Sequence, residues 1–123
     1  EFLDSATSYL RARAYAKAKV ELLKLLEMDG ENPHALFYLG QIAAQEGSHQ
    51  EAFDFYRRVS KNPNIESWIQ ATAIVRMGRY LAYQGQLEEA RRHFESVLAL
   101  QGDLKGARQD AENSLKQLGD TQD

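Results

Sequence analysis

The chain has no cysteine. Disulfides and thiolate metal sites are therefore excluded, and nothing points to an oxidising compartment. The cytoplasm is the default expectation, although the sequence does not fix it. Proline is almost as scarce. The only two, Pro33 and Pro63, sit between apolar periodic segments, where proline ends helices. Valine, isoleucine and threonine are few, while alanine, leucine, glutamate, glutamine and arginine are common, a mixture that favours helix over sheet. No apolar run approaches the roughly 20 residues that a membrane-spanning helix needs, so membrane insertion is not expected. The first residues show no basic segment leading into an apolar core. The net charge of −3 is too near neutral to imply nucleic acid or an anionic membrane as partner. At 123 residues the chain is one domain's worth, and it is expected to form a single domain over residues 1–123.

What the sequence does have is internal repetition. Gly40 and Gly47 recur as Gly78 and Gly85, and Gly119 follows one period later. The run Gly47-Ser48-His49-Gln50-Glu51-Ala52 matches Gly85-Gln86-Leu87-Glu88-Glu89-Ala90. Apolar periodicity and breaker residues predict seven helices, over about 3–13, 15–28, 33–46, 48–61, 65–84, 87–100 and 104–118. Pro33 suits a first helical turn, and Ser48 with Glu51 has capping-box spacing. The second helix of each pair carries a small residue (Ala18, Ala52, Ala90), a large one a turn later (Leu22, Tyr56, Phe94), and then Leu25, Val59 and Val97. The spacings are 34 and then 38. Two helices that cross closely need a small side chain at the crossing, and a large neighbour fills the remaining gap.

These residues resemble the tetratricopeptide repeat family, whose unit is a 34-residue helix–turn–helix. Leu39-Gly40 with Ala43, and Met77-Gly78 with Leu81, fit the family's first-helix motif, and the alanine and aromatic slots fit its second. The resemblance implies an all-α fold, a right-handed α-solenoid of about three repeats (1–32, 33–66, 67–102) closed by a C-terminal capping helix (103–119). The departures are specific. Ser5-Ala6 stands where the first unit should have Leu-Gly, and Arg13-Ala14 replaces its turn glycine. The family proline after the second helix is poorly matched, with Gly30, Asn64 and Gly102 at that slot. Four extra residues between the second and third units lengthen the fifth helix or the loop before it, with Trp68 on the added turn. Gly119 either ends the last helix or, with Asp120, opens the second helix of a fourth unit.

A search for chemistry yields little. His34, His49 and His93 have no partner at ligand spacing, so no metal site, cofactor or catalytic histidine is expected, and His49 is expected to pack its helix pair. The serines show no nucleophile elbow, and the glycines form no phosphate loop. Arg57-Arg58 and Arg91-Arg92 read as a solvated outer face. Nucleic-acid binding would need a broader basic stripe with stacking aromatics.

The resemblance implies that first helices line a concave groove. Helical spacing then places Phe37, Tyr38, Gln41 and Gln45 on the third helix toward it, with Arg76, Arg79 and Tyr83 on the fifth and Asn113 on the last. For Tyr38, Tyr83 and above all Phe37, gap-filling between helices is the competing reading. Tyrosine and arginine are enriched at binding hot spots, arginine grips carboxylates through two hydrogen bonds, and amides can pair with a peptide backbone. The expected function is thus a non-enzymatic scaffold for a protein or peptide partner with an acidic group and an apolar anchor. Two alternatives are self-assembly into a homo-oligomer and a targeting arm of a larger enzyme or transport complex. Family members that hold the acidic tails of heat-shock chaperones use a clamp of lysine, asparagine, asparagine, lysine and arginine. The matching slots here hold Leu3, Thr7, Tyr38, Thr72 and Arg76, so chaperone tails are not expected to bind.

Overall fold

The computed structural model describes the backbone of residues 2–122 and the side chains of residues 2–119. Among the described residues every regular element is a helix: α1 (Phe2–Arg11), α2 (Tyr15–Met28), α3 (Pro33–Gln45), α4 (His49–Ser60), α5 (Ser67–Tyr83), α6 (Leu87–Leu98) and α7 (Ala107–Gln122). They fall into two compact units, Glu1–Val59 with α1, α2, α3 and all but the last residue of α4, and Ser60–Asp123 with α5, α6 and α7.

The turn inside each helix pair is built the same way three times. Arg13, Gly47 and Gly85 hold φ of +60°, +84° and +85°. Each donates its N–H three residues back, to Leu10, Ala44 and Ala82, over 3.0, 3.1 and 3.0 Å. The residue after each donates five residues back, from Ala14 to Tyr9, Ser48 to Ala43 and Gln86 to Leu81, over 2.8, 2.8 and 2.9 Å. This is a Schellman closure, in which a left-handed residue lets two N–H groups satisfy carbonyls at the helix end. The first unit keeps the geometry without the glycine that favours it.

The size slots explain the packing of the pairs. In the first unit a Cβ on Gly40 would lie 2.8 Å from Cε1 of Tyr56. In the second unit one on Gly78 would lie 2.6 Å from Cε1 of Phe94. Only glycine lets the aromatic ring lie against the facing backbone. The α1/α2 pair solves the same contact differently, with Ala6 and Leu22 both fully buried in one cluster with Ala18, Ala35, Leu39 and Ile42. A smaller side chain on α2 leaves room for the extra methyl on α1.

Helix ends follow local chemistry. Asn32 caps α3, its Oδ1 accepting the Ala35 N–H at 3.0 Å, with Pro33 at the first helical position. The carbonyls that follow the second helices are gripped by arginines. Arg58 Nη2 donates to Gly30 O and Glu31 Oε1, each at 3.1 Å, and Arg108 Nη2 donates to Leu100 O at 2.7 Å and to Gly102 O at 3.4 Å. Glycine or asparagine replaces the family proline at this slot, and an arginine contact fixes two of the three turns.

The fifth and last helices depart from their expected limits. α5 has 17 residues against 13 for α3, so the four extra residues form a helical turn before the position matching Pro33. That turn buries Ile69 fully and sets Trp68 under Lys105, whose Nζ lies 5.3 Å from the ring centroid. The helix starts at Ser67 rather than near Ile65, which is buried in the preceding loop. α7 begins three residues later than expected, because Lys105 and Gly106 take left-handed φ of +51° and +93°. It also runs through Gly119 to Gln122, so no turn forms at Gly119-Asp120. Its buried stripe, Ala107, Ala111, Ser114 and Leu118, has helical spacing, while Glu112, Asn113, Lys116 and Gln117 are exposed.

Candidate functional site

The first unit offers one stretch of the expected binding face, on α3. Phe37 must be removed from it. Its ring is 1 % exposed, edge-on to Tyr38 with centroids 5.5 Å apart and tilted against Tyr56 at 6.1 Å, so it is core. Its neighbours explain the burial: α3 buries Ala35, Leu36, Leu39, Gly40, Ile42 and Ala43 as well, so little of its circumference is left for solvent. Tyr38 is half-buried and packs against the core cluster of the unit. Gln41 is half-buried and Gln45 exposed, one turn apart on the same side.

The second unit offers the other stretch, on α5 and α7. Arg76, Arg79 and Tyr83 lie at helical spacing on one side of α5, and all three are exposed. Tyr83 stands out at 88 % exposed. Arg79 Nη2 lies 3.9 Å from Asp110 Oδ1 of α7, and both side chains are more than half exposed. Two turns of α7 present Asp110 and Asn113, and the Asn113 Oδ1 accepts from Gln109 Nε2 at 3.1 Å. The unit thus gathers two cations, a phenol and two amides on the surfaces of α5 and α7. The Arg79–Asp110 pair joins helices far apart in sequence, and no local pattern announces it.

The slots that would form a chaperone clamp are otherwise occupied. Leu3 is half-buried, Thr7 Oγ1 donates to Asp4 O at 3.0 Å, and Thr72 Oγ1 donates to Trp68 O at 2.7 Å. Both hydroxyls are spent on their own helices.

Other side chains were placed differently. His49 is exposed at the start of α4 and does not pack its helix pair, unlike the half-buried Tyr15 and Leu87 at the matching slots. Arg57 is exposed as expected and pairs with Asp54 at 3.5 Å, but Arg91 is half-buried, not part of a solvated face, with its side chain 25% exposed and its Nε 3.8 Å from Glu88. The second unit also holds an open cleft of about 310 Å³ lined by Ser60, Ile74, Met77, Arg92, His93 and Ser96. Its polar groups are partly committed, since His93 Nδ1 lies 2.8 Å from Glu89 O and Ser96 Oγ donates to His93 O at 2.7 Å. Among the described residues no group of three histidine, aspartate or glutamate side chains could hold a metal ion. Among the described residues no helix is long and apolar enough to cross a membrane.

Comparison with known proteins agrees with the helical architecture. Models of the tetratricopeptide repeat match residues 3–64 and 70–101. The photosystem I assembly protein Ycf3 of Acaryochloris marina is 31% identical over 87 residues, covering 66% of this chain and 52% of the relative, so the chain spans about half that relative's length. Among solved structures, the N-terminal domain of stress-induced protein-1 from C. elegans superposes with a TM-score of 0.73 at 19% identity, over 96% of this chain and 91% of that one. Proteins of this kind are generally non-catalytic scaffolds that bind other proteins. The thrice-built turn and the small-against-large crossings agree with these matches, and the chain belongs to the tetratricopeptide repeat family and has its all-α helix–turn–helix fold.

Proposed function

We propose that this chain is a non-catalytic scaffold that holds a peptide or helix of a partner protein on the face of α5 carrying Arg76, Arg79 and Tyr83. The observation that carries the reading is Tyr83, a large aromatic 88 % exposed on the same side of α5 as two exposed arginines. Tyrosine brings a rigid apolar body with a polar tip, and arginine brings a planar donor fork, so together they suit an apolar anchor beside a carboxylate. Asn113 of α7, exposed in the same unit, would add an amide contact to the partner's backbone. Phe37 has no part in the proposal.

Assembly, the role in the name of the relative from Acaryochloris marina, agrees in kind with a scaffold. Self-assembly and a place as the targeting arm of a larger machine stand as alternatives. The test is a triple variant, Arg76→Ala, Arg79→Ala and Tyr83→Ala, compared with the parent for capture of a purified partner. All three positions are exposed, so helicity should be retained. Capture that falls at least about tenfold supports the face, since hot-spot truncations each cost about 2 kcal/mol or more. Undiminished capture with intact helicity rejects it.

A further inference from the structure

The repeat supplies its own control for what an outward-facing slot should carry. Val20 of α2 matches Asp54 of α4 and Arg92 of α6, and Leu23 matches Arg57 and Glu95. All six are exposed, yet only α2 presents apolar side chains there, with Val20 51 % and Leu23 45 % exposed. Exposed Ala16 precedes them one turn earlier, where the other helices carry Gln50 and Glu88. Ala16, Val20 and Leu23 fall at steps of four and three, the spacing of a helix-packing seam. Glu27 continues the seam and closes it at the C-terminal end with a charge.

One rim of this seam is basic. Lys17 and Lys24 lie seven residues apart on the same flank, and both are exposed. Their ammonium groups lie over aromatic rings of α1, with Lys17 Nζ 5.9 Å from the Tyr9 ring centroid and Lys24 Nζ 5.8 Å from that of Phe2. Lys24 has an acidic neighbour in Glu21 at 3.7 Å. On the other flank Lys19 pairs with Glu46 at 3.8 Å.

That charge pattern selects the occupant. A second copy of α2 packed antiparallel would set Lys17 against Lys24 of the other copy, and a parallel copy would set Lys19 against Lys24. Both arrangements bring like charges together. A foreign helix with carboxylates beside its apolar seam meets opposite charges instead. We infer that the Ala16–Val20–Leu23 stripe of α2 is a second docking surface, one that takes an amphipathic helix of a partner protein with acidic residues along one flank.

The probe is a synthetic helical peptide with leucines along one seam and glutamates on the flanks, titrated against the full chain by fluorescence anisotropy. Val20→Glu with Leu23→Glu, which leaves the buried face intact, should weaken binding at least about tenfold by replacing the apolar contact with carboxylates that also repel the glutamate flanks. Lys17→Glu with Lys24→Glu should weaken it about fivefold, the scale of two exposed ion pairs, and should shift the preference to a lysine-flanked version of the peptide. That exchange of preference cannot come from a general loss of structure. No binding of the glutamate-flanked peptide at millimolar concentration, or binding indifferent to Val20→Glu with Leu23→Glu, overturns the inference. So does concentration-dependent self-association in sedimentation, or adsorption to phosphatidylserine vesicles, that the same pair of substitutions abolishes. The first of these assigns the stripe to a second copy and the second to a membrane.

Discussion

Gly78 of α5 faces the ring of Phe94 of α6 so closely that a methyl group on the glycine would sit 2.6 Å from the ring edge. Phe94 is fully buried. Gly78→Ala should therefore destabilise the protein by about 1–3 kcal/mol through overpacking, even though alanine is the better helix former. Replacing the ring as well, with Phe94→Leu, recreates the pair that Ala6 and Leu22 make in the first unit. The double variant should be more stable than the sum of the single losses, with a coupling of about 1 kcal/mol or more in urea unfolding. Strict additivity would show that size matching is not what holds this contact.

Arg13 holds a conformation that glycine occupies at the two matching turns. An L side chain in the left-handed region carries roughly 1–2 kcal/mol of strain. Arg13→Gly relieves it and, against that, makes the unfolded chain more flexible. The net expectation is a gain of about 0.5–1 kcal/mol, read as a rise in melting temperature of a few degrees. A fall would mean that the Arg13 side chain contributes an interaction that outweighs its backbone strain.

Arg108 closes the loop between α6 and α7 by donating to two carbonyls, the shorter contact being 2.7 Å and partly buried. Removing it leaves Leu100 O without that donor. Arg108→Ala should cost about 1–2 kcal/mol, in line with hydrogen bonds to charged groups. Arg58→Ala removes a more exposed contact to Gly30 and Glu31 and should cost less, under about 1 kcal/mol. Thermal or denaturant unfolding of the two variants side by side tests the order.

A peptide with the acidic C-terminal sequence of a heat-shock chaperone should not bind tightly. Of the five clamp slots only Arg76 has the required type, and the hydroxyls of Thr7 and Thr72 are bound to their own helices. Calorimetry with such a peptide is expected to show no saturable heat at micromolar concentration. Tight binding that Arg76→Ala abolishes would reverse the assignment.

Much of the fold was legible because its determinants are local and repeat. Small, large and apolar residues recur at 34 and 38 residues, and the turn residues Arg13, Gly47 and Gly85 fall in the same register. Each helix pair therefore announces itself in its own sequence. The limits were less legible where two local signals competed. Gly119 reads as a stop, yet the backbone continues through it, since a glycine inside a helix costs only about 1 kcal/mol and need not end it.

The proposed binding face was only half legible. Helical spacing put Arg76, Arg79 and Tyr83 on one side of α5, and they are exposed there. The same spacing put Phe37 on the face of α3, and packing took it into the core, because periodicity gives a direction around a helix but not how many neighbours surround it. By itself the sequence determined the helices, their pairing and the residue sizes at each crossing, since these depend on side-chain volume and backbone freedom at fixed spacing. Only the tertiary structure decided that Arg79 pairs with Asp110, that Phe37 is core, and that Val20 and Leu23 are left in water. Those outcomes depend on which surfaces meet across many intervening residues, and no local pattern encodes that.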